Sequence, residues 1–296
     1  MPLKSEKRGN CTTGAVTTIL PSDISLSPET RHSNYHAMDF PGSTSYVAPS
    51  PASLSLPDSE VHVWYARTSA CDTPELRARY ASLLSPLEHE RFSRFAFDHL
   101  KLEYLVTRAL SRCVLSRYLG KNPGSLRFVA GTHGKPELEP GSDGHPPLRF
   151  NLSNTSTFVV CAVTRSADVG VDIERVDRSI DIASLANRCL APEERRALRA
   201  VPAEQRSSRF FELWTLKEAW LKATGIGLSI EPDQVAFSIS CGIASAVFGP
   251  DVDDLLSNWQ FVTHKPEKSC ITAVAIRTGT SGSFRVRFAE TVPLQP

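Results

Sequence analysis

No hydrophobic run in this 296-residue chain is long enough to cross a bilayer. The early basic residues Lys4, Lys7 and Arg8 are not followed by the sustained apolar stretch of a secretory signal. These two absences predict a chain with no membrane partner and a cytoplasmic location. The seven cysteines (Cys11, Cys71, Cys113, Cys161, Cys189, Cys241 and Cys270) are odd in number and scattered, with no Cys-x-x-Cys among them. That spacing argues against both a disulfide framework and a zinc site, and it predicts reduced thiols, several of them buried. Charge of one sign is lacking too: the formal net charge is +1, which carries no nucleic-acid or membrane-surface signature. No internal repeat is visible.

What is present divides unevenly along the chain. Residues 1–57 are rich in Ser, Thr and Pro and show neither helical nor strand periodicity. Such a segment buries too little apolar surface to offset its ordering entropy, so it reads as a disordered tail. The rest, in a chain 41% hydrophobic, has enough apolar residues for an ordinary core. Strands are expected over Val61–Tyr65, Leu126–Val129, Phe158–Val163 and the segment that follows. Helices are expected over Pro74–Leu84, Leu100–Leu119 and much of Ile182–Lys222. Further β-like segments are Val235–Ile239, Ala244–Phe248, Trp259–Thr263, Ile271–Ile276 and Phe284–Phe288. Strands and helices that do not strictly alternate favour α+β over a doubly wound sheet.

Chemistry concentrates in two places. In Phe210-Phe211-Glu212-Leu213-Trp214-Thr215-Leu216-Lys217-Glu218-Ala219-Trp220-Leu221-Lys222, Glu218 and Lys222 stand one helical turn apart, about 5–6 Å between Cβ atoms. About 40 residues upstream, in Val169-Gly170-Val171-Asp172-Ile173-Glu174, Asp172 and Glu174 alternate with Val171 and Ile173 and so share one face of a strand. Taken alone, the first pair reads as a solvated i,i+4 pair worth a few tenths of a kcal/mol, and the second as the polar side of a half-buried strand. Together they allow three carboxylates and a lysine to converge.

These segments resemble the Sfp-like 4'-phosphopantetheinyl transferases. The family's Gly-hydrophobic-Asp-hydrophobic-Glu strand and Trp-Ser/Thr-x-Lys-Glu-Ala/Ser-x-x-Lys helix are matched by Gly170 to Glu174 and Trp214 to Lys222. Gly134-Lys135-Pro136 and Phe150-Asn151-Leu152-Ser153 match two weaker motifs in the expected order. It is the ordered set of four that is specific; any one alone is weak. The resemblance implies two similar α+β halves packed as a pseudo-dimer, with coenzyme A in the cleft between them. The boundary is placed near Arg165-Ser166-Ala167, giving halves of 58–165 and 166–296, the second carrying the metal site. A pseudo-dimer makes a monomer the simpler expectation.

The resemblance also implies an activity: a serine hydroxyl of an apo acyl or peptidyl carrier protein attacks the β-phosphate of coenzyme A, giving phosphopantetheinyl-serine and 3',5'-ADP. Hard oxygen donors suit Mg²⁺, and Asp172, Glu174 and Glu218 fit as its ligands. Glu218 also fits as the general base for the serine, so it serves as ligand, base, or both. Lys222 fits either transition-state stabilisation of the pyrophosphate or ground-state phosphate binding.

Further coenzyme A contacts are implied for Lys135, for Ser153, and for Arg108, whose planar fork suits the 3'-phosphate. Read on its own, Lys135 is a turn lysine between Gly and Pro. Arg112 receives no role. One departure stands out at Asn154, also placed among the coenzyme A contacts: the family usually has His there, and an amide can donate a hydrogen bond but cannot become cationic as imidazole can. His133 reads as a surface turn residue. Arg188, Arg195, Arg196 and Arg199, with Glu193 and Glu194, read as a solvated helix face, with a docking patch for an acidic carrier as the alternative. Two other readings stay open, a catalytically silent protein that binds coenzyme A or a carrier, and a pyrophosphate hydrolase. The carrier itself is not specified by the sequence.

Overall fold

The computed structural model describes residues 54–131, 134–140, 148–225, 230–240, 242–250, 252, 254–279 and 282–295, together with the backbone of 17–18. Most of the expected N-terminal tail, His133, Cys11 and Cys241 lie outside the described residues. Among those described are twelve strands and six α-helices. The first half contains β1 (Thr17–Thr18), β2 (Glu60–Arg67), α1 (Pro74–Ala81), α2 (Pro86–Ser93), α3 (Asp98–Leu119), β3 (Phe128–Ala130), β4 (Pro136–Leu138), β5 (Arg149–Asn154) and β6 (Phe158–Thr164). Then come β7 (Val169–Arg175), α4 (Ile182–Cys189), α5 (Pro192–Ala200), α6 (Ala203–Thr224), β8 (Val235–Ser240), β9 (Ile243–Phe248), β10 (Trp259–Glu267), β11 (Cys270–Arg277) and β12 (Arg285–Glu290).

The architecture is α+β, as expected. One sheet has strand order β1-β12-β2-β6-β5 and another β10-β11-β7, with two small hairpins, β3-β4 and β8-β9. A 22-residue helix covers each main sheet, α3 the first and α6 the second. Both helices stop at a glycine in the left-handed region, Gly120 (φ 61°) and Gly225 (φ 67°), where a Cβ would be strained and the chain can turn away.

Alternation along the strands explains how the two halves meet. β6 is buried throughout; Val159, Cys161 and Val163 pack under α3, while Phe158, Val160 and Ala162 face the other sheet. There they meet Val169, Val171 and Ile173 of β7 with Val274 and Ile276 of β11. The opposite face of β7, with Gly170, Asp172 and Glu174, is thereby turned toward α6.

Three features depart from simple expectation. β12, beyond the expected boundary, returns to the first sheet and pairs in parallel with β2, Val286 opposite Val61 and Phe288 opposite Val63. Leu54 and Leu56, at the end of the expected tail, are buried in the first core, and the Leu54 amide donates to the Arg117 carbonyl at 2.9 Å. α2 buries no residue and is held by a capping box, Ser85 amide to Glu88 at 2.8 Å and Glu88 amide to Ser85 at 3.3 Å. Cys71, Cys113, Cys161, Cys189 and Cys270 are all free thiols. Among the described residues no helix is long and apolar enough to cross a membrane.

Candidate functional site

The site forms where β7 and α6 touch backbone to backbone. A Cβ on Gly170 would lie 2.0 Å from the Ala219 carbonyl oxygen and 2.4 Å from the Ala223 amide nitrogen, so only glycine allows this approach. Trp214, Glu218 and Lys222 follow one another at i, i+4 and i+8 along α6 and lie on one stripe. Trp214 lies near the Glu174 carboxylate and favours its charged form, and Lys222 Nζ lies 2.6 Å from Asp172 Oδ1. Glu218 therefore sits between them.

Asp172 is 5% exposed. Its Oδ1 accepts from Lys222 and from Ser153 Oγ at 2.8 Å, and Lys222 Nζ also donates to Ser153 Oγ at 3.0 Å, closing a triangle. Asp172 Oδ2 is buried with no hydrogen-bond partner among the described residues. Burial, then the Asp172 charge, raises the carboxyl pKa of Glu218, with Lys222 opposing. Burial and Asp172 likewise raise that of Glu174, although Arg178 Nη1 pairs with its Oε2 at 2.8 Å. Three carboxylates thus interact electrostatically across one strand–helix seam.

The other residues singled out by sequence are placed as follows. Lys135 Nζ donates to two backbone carbonyls, Val169 at 3.1 Å and Lys222 at 3.0 Å. Asn154 is exposed and its amide donates to Glu103 at 3.2 Å. Arg108 lies 3.7 Å from Glu88 and over the Tyr104 ring, in a cleft of about 920 Å³ that also touches Arg91, Arg112 and Gly134. Arg112 is structural: it is 2% exposed and donates to the Leu126 carbonyl and to Glu88.

Within the expected solvated arginine-rich face, Arg188, Glu193, Arg196 and Arg199 are exposed, and the exception is Glu194. It is 2% exposed, pairs with the fully buried Lys217 at 2.7 Å, and accepts from the amides of Ala191 and Phe237. Lys217 also donates to the Pro232 carbonyl at 2.9 Å. The first lysine of the α6 motif is therefore a bolt between α6, α5 and β8, whereas the second, Lys222, faces the carboxylates. Sequence reasoning also gave no role to Asn151, whose Oδ1 accepts from the Val171 amide at 2.9 Å and ties β5 to β7, or to Trp214. The i−4 spacing of Trp214 from Glu218 was the available signal for it.

Among the described residues no three acidic, His or Cys side chains converge closely enough to hold a metal ion as they stand. Lys222 and Arg178 hold Asp172 and Glu174 instead. Yet a buried carboxylate oxygen without a partner is costly, on the order of 1–3 kcal/mol or more. Glu218, too, has no hydrogen-bond or ion-pair partner among the described residues. An all-oxygen set with an orphaned buried oxygen fits a hard divalent cation such as Mg²⁺.

Comparison with known proteins bears on this seam directly. Residues 168–275 match the 4'-phosphopantetheinyl transferase superfamily, and residues 73–166 match the N-terminal region of 4'-phosphopantetheinyl transferases. The 4'-phosphopantetheinyl transferase HetI of Nostoc sp. is 34% identical over 230 residues, covering 77% of this chain and 92% of that protein. The 4'-phosphopantetheinyl transferase Sfp of Bacillus subtilis is 31% identical over 165 residues, covering 56% and 70%. Among solved structures, the holo-acyl-carrier-protein synthase of Helicobacter pylori in complex with coenzyme A is 19% identical, with a TM-score of 0.28, covering 36% of this chain and 96% of that one.

Proposed function

This chain belongs to the 4'-phosphopantetheinyl transferase superfamily and transfers phosphopantetheine from coenzyme A to carrier proteins, and we propose that the β7–α6 seam performs the transfer. The reaction proposed is attack of a carrier serine on the β-phosphate of coenzyme A, releasing 3',5'-ADP. The observation that carries this reading is the triangle of Lys222, Asp172 and Ser153 beside the unpaired Glu218.

Glu218 takes the serine proton. Burial and Asp172 both disfavour its charge in the metal-free seam, and a carboxylate within reach of the hydroxyl is the natural general base. Lys222 supplies the positive charge for the pyrophosphate; its ammonium, now shared by Asp172 and Ser153, is donated to the phosphate oxygens as they enter. Ser153 offers its hydroxyl to the same oxygens, and Arg108 serves the 3'-phosphate with a bidentate fork. Asp172, Glu174 and Glu218 would hold Mg²⁺, which when bound polarises the phosphoryl oxygens and offsets charge on the leaving group. The unbridged thiols support a cytoplasmic enzyme, and the two face-to-face sheets within one chain support a monomer.

The test is the intact mass of purified apo carrier proteins after incubation with this protein, coenzyme A and Mg²⁺, with and without a chelator. A chelator-sensitive gain of one phosphopantetheine on a serine is expected. Gain that persists in excess chelator would remove the magnesium part of the proposal, and no gain on acyl or peptidyl carriers would remove the substrate assignment.

A further inference from the structure

Lys135 is brought to the site by a built turn. The hairpin β3-β4 closes through Gly131 amide to Lys135 carbonyl at 2.8 Å and Gly134 amide to Gly131 carbonyl at 3.1 Å, with Gly134 at φ 78°. Pro136 opposite Ala130 begins the returning strand. This sends the Lys135 side chain past its own hairpin to the junction of the two halves. There its ammonium spans Val169, the first residue of β7, and Lys222, in the last turn of α6.

The acceptors decide the role. The last four carbonyls of a helix have no partner within it, and a lysine that reaches them both satisfies them and opposes the negative end of the helix dipole. Lys135 does this at the carbonyl of Lys222 itself, so it fixes the backbone from which the phosphate-facing ammonium projects. Its second acceptor lies three residues before Asp172 on the acid-bearing strand. Two of its three N–H donors are thereby committed to main-chain oxygens.

We infer that Lys135 is a positioning residue that staples β7 to the end of α6 and so sets Lys222 against Asp172, rather than a phosphate ligand. The inference rests on the reading of the seam as the transfer site. It complements Gly170: the missing Cβ lets strand and helix touch, and the ammonium holds the helix end there. Burial lowers the pKa of Lys135, in keeping with an ammonium that serves neutral carbonyls.

The test separates binding from chemistry. Lys135→Met keeps the length of the side chain and removes its donors. A fall in kcat of about tenfold or more is expected, in the range that misplacement of reacting groups produces, with the Kd for coenzyme A, measured by calorimetry, within about threefold of wild type. In a Lys222→Ala background the same substitution is expected to lower kcat by less than about twofold, because a residue that acts through Lys222 has nothing left to position. A tenfold or greater loss of coenzyme A affinity with kcat retained, or full additivity of the two substitutions, overturns the inference. Should Lys135→Met fail to fold, the comparison is made on Lys135→Gln, which keeps an N–H donor without the charge: affinity near wild type is expected for a staple, and a tenfold loss contradicts it. Absence of transfer by the unsubstituted protein would be a different result, counting against the reading of the seam itself.

Discussion

Gly170 and Ala219 are in backbone contact: a Cβ at residue 170 would lie 2.0 Å from the Ala219 carbonyl oxygen. The spacing of every acid–base pair at the site depends on that contact, because Asp172 and Glu174 follow Gly170 on the same strand face and Glu218 and Lys222 flank Ala219 on the helix.

Gly170→Ala is expected to push α6 off β7. The obstructing atoms are main chain and cannot rotate away, so a stability loss of about 1–3 kcal/mol is expected, as for other overpacked sites. Turnover should fall further than stability, by on the order of 100-fold, since a shift of about 1 Å at reacting groups costs that much. Denaturant unfolding and steady-state kinetics on the same preparation check both. Unchanged kcat in the folded variant would contradict the contact's role.

The two lysines of the α6 motif should respond oppositely. Lys217→Met leaves Glu194 buried beside an apolar chain, and removal of one partner of a buried pair costs about 3–5 kcal/mol. Its unfolding midpoint should drop steeply while the folded fraction keeps its kcat. Lys222→Met should lose kcat with a smaller loss of stability, because Lys222 is partly exposed and Asp172 keeps the hydrogen bond from the Ser153 hydroxyl. Equal effects on stability would contradict the distinction drawn here between bolt and phosphate partner.

His62 should give stability a pH dependence. Its Nδ1 lies 2.7 Å from Tyr118 Oη and its Nε2 2.9 Å from Glu60 Oε2, while Trp64 Nε1 donates to the same tyrosine oxygen at 2.8 Å. Tyr118, already accepting from Trp64, donates to Nδ1, so neutral His62 with its proton on Nε2 is fully satisfied. Burial lowers its pKa below the ordinary 6.5, against the pull of Glu60, with Arg287 also lowering it. The folded pKa is thus below the unfolded one. The contribution is fully present above about pH 6.5 and is lost as pH falls toward and through the folded value. The stability gap between wild type and His62→Gln should therefore narrow between about pH 7.5 and 5.5, at most by about 1.4 kcal/mol per pH unit for one proton. Urea unfolding at several pH values reads it, and a constant gap would contradict it.

Much of the seam was legible in the sequence because its signals are local. Period-two alternation put Asp172 and Glu174 on one face, and the i,i+4 spacing put Glu218 beside Lys222. Glycine in the strand motif proved to be the means of close approach. What was not legible depends on contacts far apart in the chain. β12 pairs with β2 across some 220 residues, and no local pattern states which sheet a terminal strand will join. Glu194, in a run of charges, looks solvated until Lys217 arrives from another helix to pair with it. α2 has almost no buried face, so periodicity could not find it, although Ser85 and Glu88 carry the spacing of a capping box. Lys135 reads as a phosphate lysine or a turn lysine in sequence; only the positions of two carbonyls reveal the staple.

The central claim, that Glu218 acts at the chemical step, is tested most directly by single-turnover transfer with Glu218→Gln at saturating coenzyme A, carrier and Mg²⁺. Loss of a positioned base predicts a rate about 100-fold or more below wild type, with coenzyme A affinity within about threefold and the unfolding midpoint unchanged. A single-turnover rate equal to wild type would contradict the account.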